Sequence, residues 1–184
     1  AKDKGAVIVM DNRTGEILAM HSNPGFNPST IDQNWDDFVN SNNGELLNRA
    51  AQGLYQPGST FKLVSAMAIL KSKQDLNYTD TGKESVDSYI FKNSGGKKYG
   101  NIDLNTAMSN SINTYFINKI MNVDKDKFFD TIEEFYIDKD FDFDLVFAKS
   151  KFNRDAGKTE IASDAIGQGS ILVSPLNMLM MTSA

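Results

Sequence analysis

One apolar stretch, FKLVSAMAIL at residues 61–70, constrains the fold of this chain more than any other feature. It is apolar on nearly every side and long enough for about three helical turns, so it predicts a buried helix over residues 59–71. A Pro-Gly pair directly before it interrupts whatever precedes, which places Ser59 at or next to the helix N-terminus. Lys62 follows three residues later and faces the same side. Ser59 and Lys62 are therefore predicted to be neighbours in space.

Composition limits the class of protein. Of the 184 residues, 40% are apolar and 23% are charged, which is typical of one globular domain. The net charge of -5 and the pI near 4.9 argue against a nucleic acid partner. Without cysteine the chain has no disulfide or thiolate metal site, and its single histidine, His21, cannot build a zinc centre alone. No stretch approaches the roughly 20 apolar residues of a membrane span, and no signal peptide opens the chain, so any anchor is expected outside it.

Glycine, proline and asparagine divide the first part of the chain into elements. The segments GAVIVM, DNRTG and EILAMHS predict a strand, a tight turn and a second strand. Residues 22–48 contain NPGFNPST and NSNNG, which predict an irregular crossing towards the buried helix. Residues 73–100 are again polar and broken by glycine, and they predict a loop with one short strand at Tyr89–Lys92.

Helices are predicted in the later part of the chain. IDLNTAM begins one that Asp103 caps, SINTYFINKIM begins another at Ser111, and residues 126–137 form an amphipathic third. Ser174 and Pro175 are typical of an N-cap and a first helical position, and the apolar residues after them predict a buried helix. Because that helix stops within its first turns, and the chain opens without methionine, we expect the sequence to be part of a longer protein.

A second polar pair, Ser111 and Asn113, stands at the junction between two predicted helices. Alone it says little, since serine and asparagine are common at helix starts, where they cap the backbone. It gains meaning from the Ser-x-x-Lys pattern of residues 59–62. That pattern, followed by a Ser-x-Asn-like motif, is a signature of penicillin-binding proteins and serine β-lactamases.

From end to end, the chain resembles the transpeptidase domain of penicillin-binding proteins. NRAAQGLYQPGSTFK at residues 48–62 is similar to the active-serine segment of that family, and SINTYF at residues 111–116 is similar to its second motif. The opening AVIVMDNRTGEILAMHSNPGFNP and the later IGQGSILVSPLNM are similar to the segments that begin the domain and that precede its later strands. YQPGSTFKLVSAMAIL, with FNP after the hairpin, is more similar to the monofunctional class B enzymes than to the bifunctional class A enzymes.

The resemblance implies an α/β fold of the α+β type, shared with serine β-lactamases, in which an antiparallel sheet carries helices on both faces. Residues 1–184 would form the N-terminal part of a single transpeptidase domain, with the hairpin and the helical region but without the later strands. The family's third motif, Lys-Thr-Gly or Lys-Ser-Gly, is absent. The nearest string, GKTE at Gly157–Glu160, lacks the glycine after threonine and precedes GQG instead of following it, so we interpret it as a surface loop.

The pairing of Ser59 with Lys62 has a chemical reason. A serine hydroxyl is a weak nucleophile and needs a base within hydrogen-bond reach, about 2.6–3.2 Å. Lysine can be that base only when neutral, and burial at the positive end of a helix disfavours its charged form. The same helix end would place the backbone N–H of Ser59 at a developing oxyanion, while the second donor in the family belongs to the third motif. By resemblance, Ser111 passes a proton between Lys62 and the departing amine. The resemblance also implies that Asn113 holds Lys62 and the substrate amide in position.

The function implied by the resemblance is acyl transfer on peptidoglycan. Ser59 would attack the D-Ala-D-Ala bond of a stem peptide, release D-alanine, and form an acyl-enzyme that the amine of a neighbouring stem peptide resolves into a cross-link. β-Lactam antibiotics would acylate the same serine, and no metal or organic cofactor would be needed. The expected location is the extracellular side of the cell membrane, with a membrane glycosyltransferase as a partner of the full-length protein.

Two other interpretations use the same residues. A serine β-lactamase or a β-lactam sensor would share Ser59, Lys62 and the second motif, but class A β-lactamases also need a glutamate in a Glu-x-x-Leu-Asn setting after that motif. Here ELLN at residues 45–48 is one residue short and precedes Ser59. The other alternative is a catalytically inactive scaffold module, against which the retention of Ser59 and Lys62 argues.

The resemblance also predicts how the isolated chain behaves. In the family the first strand pairs with the last strand of the domain, so GAVIVM would have an unpaired edge and one side of the helix led by Ser59 would lack its cover. Exposed apolar edges recruit other chains. We therefore expect residues 1–184 alone to aggregate or to depend on a complementary segment, and to bind penicillin poorly.

Overall fold

The computed structural model describes residues 3–184, which form two compact units. The first unit contains the described residues up to Tyr55 together with residues 139–150 and 173–184. The second unit contains residues 56–138 and 151–172, and it holds both polar motifs. Within the described part of the chain, no helix combines the length and the apolar character that a membrane crossing requires.

Short strands and short helices make up both units. The strands are β1 (Gly5–Met10), β2 (Ile17–Asn23), β3 (Tyr78–Asp80), β4 (Lys83–Val86), β5 (Tyr89–Lys92) and β6 (Gly100–Ile102). The helices are α1 (Trp35–Asn40), α2 (Lys62–Ser72), α3 (Leu104–Ser109), α4 (Asn113–Met121), α5 (Lys125–Glu134), α6 (Lys158–Asp164) and α7 (Pro175–Ser183). Within residues 3–184, three short 3₁₀ turns occur at Pro28–Thr30, Gly58–Phe61 and Ser94–Gly96.

The predicted N-terminal hairpin is confirmed in the first unit. β1 and β2 pair antiparallel, from Gly5 opposite Asn23 to a bulge near the turn. The turn depends on Gly15, whose φ of 77° lies in the left-handed region that glycine tolerates best. Among the described residues the hairpin pairs with no third strand, and Val7 and Leu18 remain largely exposed.

The predicted helix after Ser174 is also confirmed in the first unit. Ser174 caps α7 by accepting a hydrogen bond from the Asn177 N–H, and Pro175 is the first helical residue. Leu176 and Met181 are buried, whereas the apolar residues between Asn177 and Met181 are only half-buried. The helix packs against β1, so one side of the apolar cluster fills the core of this unit.

The crossing at residues 22–48, predicted to be irregular, contains the short helix α1. WDDFVN is too short to show a helical period in the sequence, although two aspartates in its first turn favour a helix N-terminus. The crossing is held by Arg49, a buried residue whose guanidinium donates to three backbone carbonyl oxygens of this segment. Its irregular path therefore depends on one buried cation.

The second unit is built on α2, which packs against both α4 and α5. The large apolar side chains that this core buries almost completely include Phe61, Ile69, Ile112, Tyr115, Phe116, Ile117, Ile120, Phe128, Phe129, Ile132 and Ile137. Full burial of one such side chain stabilises the folded state by about 1.5–3 kcal/mol. The buried helix predicted from the apolar run is thus the centre of this unit.

On one side, however, α2 is not buried. Leu63, Met67 and Leu70 recur at helical spacing and are 43%, 41% and 49% exposed. We call these three residues the exposed stripe of α2. The burial on nearly every side that the apolar run predicted is therefore wrong for this stripe within the described residues, whereas it is right for the side that contains Val64 and Ile69. The stripe agrees with the separate expectation that one side of this helix would lack its cover.

Residues 73–100, predicted to be a loop with one strand, contain more regular structure than expected. β5 coincides with the predicted strand Tyr89–Lys92 and pairs with β4, while β3 pairs with β6. The missed strands have three or four residues each, which is too short for an alternation of apolar and polar side chains to show.

The three predicted helices of the second unit are confirmed as α3, α4 and α5, with small shifts. Asp103 caps α3 by accepting from the Thr106 N–H at 2.8 Å, as predicted. α4 begins at Asn113, two residues later than expected, because Ser111 has a left-handed backbone that cannot continue a right-handed helix.

The interpretation of GKTE as a surface loop is wrong. Gly157 is the N-cap and Lys158 is the first residue of α6, so the string opens a helix. The helix forms because Ile161 and Ala162 are buried while Gly157 and Lys158 stay exposed. α6 packs against α4, and its C-terminus leads into the GQG segment.

Candidate active site

Ser59 lies in the 3₁₀ turn directly before α2. The preceding Gly58 has a φ of 58°, which favours glycine. Its N–H donates to the carbonyl oxygen of Gly167 at 2.9 Å. A Cβ on Gly167 would lie 2.1 Å from the Gly58 oxygen, a clash that the chain avoids only with glycine there. The backbone beside Ser59 is thus fixed by close contact with the GQG segment.

Lys62, the first residue of α2, is the meeting point of the site and is only 2% exposed. Its Nζ lies 3.1 Å from Ser59 Oγ, which confirms that the two residues are neighbours. Nζ also lies 2.8 Å from the Ser111 carbonyl oxygen, 2.9 Å from Ser111 Oγ and 2.6 Å from Asn113 Oδ1. Ser59, Ser111 and Asn113, the three other residues selected from the sequence, therefore all contact Lys62 Nζ.

The burial of Lys62 changes its acidity. Loss of hydration lowers the pKa of Lys62 from an ordinary 10.5 to about 8. The Phe116 ring, whose centre lies 5.6 Å from Nζ, covers one side of the amine. At neutral pH a usable fraction of Lys62 is therefore the free amine, which an exposed lysine is not.

The groups around Nζ suit both of its protonation states. An ammonium has three N–H donors, whereas a neutral amine has two donors and a lone pair. The Ser111 carbonyl oxygen and Asn113 Oδ1 can only accept, so they take two N–H bonds in either state. The remaining position faces the hydroxyls of Ser59 and Ser111. A proton can thus pass between Nζ and either hydroxyl without rearrangement of the heavy atoms.

Ser111 occupies the left-handed position that ends α3. Its φ is 53°, its N–H donates to the Met108 carbonyl at 3.1 Å, and the Ile112 N–H donates to the Ala107 carbonyl at 2.9 Å. These two bonds form a Schellman motif, in which glycine is usual at this position. A non-glycine residue there costs about 1–2 kcal/mol. In this conformation, the hydroxyl and the carbonyl oxygen of Ser111 both contact Lys62 Nζ.

Asn113 joins Lys62 to the end of β5. Its Oδ1 accepts from Lys62 Nζ, and its Nδ2 donates to the Lys92 carbonyl oxygen at 3.3 Å. The Lys92 contact takes the donor side of the amide and so presents the acceptor side to Lys62. The capping interpretation of this motif does not apply to α4, because its N-cap residue is Ile112, which makes no side-chain cap bond.

Three residues that support this arrangement were not indicated by the sequence. Asn93 Oδ1 accepts from the Thr114 N–H at 3.1 Å and so caps α4 from outside. Asp80 accepts from the Thr114 hydroxyl and from Asn93 Nδ2. The polar character of residues 73–100 concealed Asp80 and Asn93, and Thr114 lies within SINTYF, where nothing distinguished its side chain. The only sign of a tightly folded segment was its glycines, of which Gly82, Gly95, Gly96 and Gly100 have positive φ.

Comparison with known proteins identifies the family. Residues 5–184 match the model of the penicillin binding protein transpeptidase domain. The chain therefore belongs to the penicillin-binding protein transpeptidase family, and its relatives are class B members, as the resemblance predicts. One of them, the peptidoglycan D,D-transpeptidase MrdA of Acinetobacter baumannii, is 28% identical over 98% of this chain and 30% of its own length. The chain thus spans less than a third of that relative.

Solved structures confirm the predicted fold. The imipenem acyl-enzyme complex of penicillin-binding protein A from M. tuberculosis matches 98% of this chain and 45% of its own, with a TM-score of 0.90 and 25% identity. The penicillin-binding protein PBP2 of Helicobacter pylori, in complex with MreC, matches 98% of this chain and 37% of its own, with a TM-score of 0.88 and 26% identity.

Proposed function

We propose that this chain carries the nucleophile and the base of a peptidoglycan D,D-transpeptidase. The observation that carries the proposal is the contact of 3.1 Å between Lys62 Nζ and Ser59 Oγ, at a buried lysine whose pKa is lowered to about 8. The relative named as a D,D-transpeptidase and the acyl-enzyme form of the M. tuberculosis protein support it. The activity is proposed for the full-length protein that contains this chain.

The first step is acylation of Ser59. Neutral Lys62 accepts the Ser59 proton while Oγ attacks the carbonyl carbon of the penultimate D-alanine in a stem peptide. As the tetrahedral intermediate collapses, the bond to the terminal D-alanine breaks and its nitrogen takes a proton. Ser111 delivers that proton from Lys62, since Ser111 Oγ lies 2.9 Å from Nζ. D-Alanine leaves, and an ester to Ser59 remains.

The second step reverses the proton path. The amine of a neighbouring stem peptide attacks the ester carbonyl and loses a proton through Ser111 to Lys62. Collapse of this second intermediate breaks the ester, and Ser59 Oγ recovers its proton from Lys62. The new amide is the cross-link. This path uses only the side chains already described and needs no metal or organic cofactor.

Asn113 and the backbone of Ser59 also contribute to the proposed chemistry. Asn113 Oδ1 holds Lys62, and the substrate amide would bind beside the Asn113 side chain. The Ser59 N–H would be one oxyanion donor, because the first N–H groups of a helical turn have no partner within it. The second donor of the family belongs to a Lys-Thr-Gly or Lys-Ser-Gly motif, which occurs nowhere in residues 1–184.

We further propose that the full-length protein is anchored in the cell membrane, with this region on the extracellular side, and contributes to cell shape. Stem peptides and β-lactams would be its ligands, and a membrane glycosyltransferase would supply new glycan strands. The complex of the H. pylori protein with MreC supports a role within a larger assembly.

The intact mass of the full-length protein after exposure to penicillin tests the proposal. The wild type should gain one penicillin, and Ser59→Ala should gain none because the ester forms on Ser59 Oγ. Thr60→Ala is the matched control, since this neighbouring hydroxyl donates to the Pro57 carbonyl at 2.6 Å and should not be needed. An adduct on Ser59→Ala contradicts the assignment. Slow release of the adduct fits a transpeptidase, whereas rapid turnover of the drug indicates a β-lactamase.

A further inference from the structure

Outside the two motifs, a buried carboxylate organises the loops of the second unit. Asp80 ends β3 and is only 3% exposed. Its Oδ1 accepts from the Thr114 hydroxyl at 2.7 Å and the Gly82 N–H at 2.9 Å. Its Oδ2 accepts from Asn93 Nδ2 at 3.0 Å and the Tyr99 N–H at 2.8 Å. Four donors thus satisfy a single carboxylate, as an ionised Asp allows.

The four donors come from separate segments of the chain. Gly82 precedes β4, Asn93 follows β5, Tyr99 precedes β6, and Thr114 is the second residue of α4. Gly82 has a φ of 85°, and a Cβ there would lie within 3.2 Å of the backbone oxygens of residues 96 and 97. The loops therefore close tightly around the carboxylate.

Asn93 connects this carboxylate to the start of α4. Its Nδ2 bonds to Asp80, so its Oδ1 is turned to the Thr114 N–H. The helix needs this bond, because Ile112 at its N-cap offers no acceptor side chain. The adjacent Lys92 accepts from Asn113 Nδ2 through its carbonyl oxygen. Two consecutive residues at the end of β5 thus hold two consecutive residues of α4.

We propose that Asp80 is a positioning residue for acyl transfer at Ser59. It fixes Asn93 and Thr114, these fix the first turn of α4, and that turn presents Asn113 Oδ1 to Lys62. This inference rests on the proposed function. Each link is a hydrogen bond of 3.3 Å or less, and the last one, between Asn113 and Lys62, is 2.6 Å long.

An amide cannot replace this carboxylate without moving its neighbours. Asparagine at residue 80 would keep one oxygen but would turn an NH₂ group towards two of the four donors. The NH₂ group would face either the Gly82 N–H and the Thr114 hydroxyl or the Tyr99 N–H and Asn93 Nδ2. The backbone N–H would lose its acceptor, and the side chain would keep only its second acceptor, which is Asn93 Oδ1 for Thr114 and the Lys97 carbonyl for Asn93, so the start of α4 would shift. A misplacement of about 1 Å near the reacting groups can lower a rate by on the order of 100-fold.

The test is the acylation of Asp80→Asn by penicillin in the full-length protein. Its kinetics are separated into the rate constant of bond formation and the dissociation constant of the preceding complex. We expect the rate constant to fall by about 10-fold to 100-fold while the dissociation constant changes little. Thr114→Val should also slow bond formation because it removes one link, and Thr114→Ser, which keeps the hydroxyl, should restore it.

Lys119→Met is the matched control for lost stability. Lys119 is a buried residue in the last turn of the same helix, and its Nζ donates to the carbonyl oxygens of Asp75 and Asn77 at 2.6 and 2.8 Å. Its loss should lower Tm without slowing acylation, because these bonds lie at the opposite end of α4 from Asn113.

Three results would decide against the inference. Equal slowing by Asp80→Asn and Lys119→Met, compared at equal loss of Tm, would show that Asp80 only stabilises the fold. Equal acylation rates of Thr114→Val and Thr114→Ser would also show that the network only stabilises the fold. If Asp80→Asn does not fold, the comparison of these two variants alone tests the inference. A wild type that gains no penicillin would refute the proposed function itself, and with it the basis of the inference.

Discussion

Ser111 contacts Lys62 Nζ through two atoms, its carbonyl oxygen at 2.8 Å and its Oγ at 2.9 Å. The carbonyl oxygen can only accept, so it orients the amine, whereas the hydroxyl can also give and take a proton. A single residue thus combines an orienting contact with a proton-transfer contact. Five experiments test this geometry and the burial of side chains elsewhere in the chain.

The rate of penicillin acylation should rise with pH and level off above about 8. Burial lowers the pKa of Lys62 to about 8, and only its neutral form accepts the Ser59 proton. Below that value the rate should fall about tenfold per pH unit. The measurement is the acylation rate constant across this range. Lys62→Arg, which stays protonated in proteins, should be slower by orders of magnitude at every pH with folding little changed. Near-native acylation by this variant would show that Lys62 is not the base.

Ser111→Gly should separate stability from activity. Glycine adopts the φ of 53° without the strain of an L residue, although it also makes the unfolded chain more flexible. We expect the free energy of unfolding to rise by about 0.5–1 kcal/mol while acylation is lost with the hydroxyl. Ser111→Ala is the control, since it loses the hydroxyl but keeps the strain. Denaturant unfolding that shows no difference between these two variants would refute the strain argument.

Asp164→Asn should stabilise the protein at pH 7. Burial raises the pKa of Asp164 to about 6, against the hydrogen bonds from Ser170 and Ile171. Between about pH 4 and 6 the folded state keeps a proton that the unfolded state loses, so stability falls as pH rises through this window. Removing the carboxylate should recover up to about 3 kcal/mol at pH 7 and little at pH 4, measured by urea unfolding.

Asp80→Asn should destabilise the protein at pH 7, as measured by urea unfolding. Burial alone would raise the pKa of Asp80, but hydrogen bonds from Thr114, Gly82, Tyr99 and Asn93 outweigh it and lower the pKa. Its stabilising effect is therefore present at neutral pH and lost in acid. If Asp80→Asn and Asp164→Asn change the free energy of unfolding in the same direction at pH 7, the conclusion that the two carboxylates have opposite environments is wrong.

Residues 1–184 expressed alone should self-associate through the exposed stripe of α2, because large apolar side chains at helical spacing recruit other apolar surfaces. Replacing Leu63, Met67 and Leu70 together by glutamine should reduce association in sedimentation experiments. Val146→Gln is the control, since Val146 is 76% exposed but lies outside the stripe. A C-terminal segment supplied in trans should restore solubility and labelling of Ser59. A well-folded monomer that labels as fast as the full-length protein would contradict this expectation.

The contact between Ser59 and Lys62 could be predicted because it depends on local rules, whereas Ser111 and Asn113 were selected through the family resemblance. A Pro-Gly pair sets the start of a helix, and residues three apart on a helix meet. The hairpin and the caps Asp103 and Ser174 follow from equally local patterns. Such signals span only a few residues, so one sequence is enough to recognise them.

The supporting network of Asp80, Asn93 and Thr114 could not be predicted, because its members are far apart in the chain and two of them, Asp80 and Asn93, lie in a segment of irregular appearance. Polar residues among glycines usually indicate a solvated loop, and only the fold shows that these three are buried. An uncovered side of α2 was expected from the resemblance, but the residues of the exposed stripe could not be named from the sequence. Composition states that a helix is apolar, but packing decides which of its sides is covered.

Asn93, which caps α4 by accepting from the Thr114 N–H, lies 21 residues before Thr114 in the sequence. An ordinary N-cap forms together with its helix, whereas this one exists only after β5 has docked against α4. We therefore expect the first turn of α4 to form late in folding. Its amide hydrogens should exchange with solvent only when the second unit opens as a whole, whereas most helix ends exchange by fraying. Mutations that loosen this unit far from Ser59 should therefore speed the exchange of these amide hydrogens and lower the stability of the whole unit to the same extent.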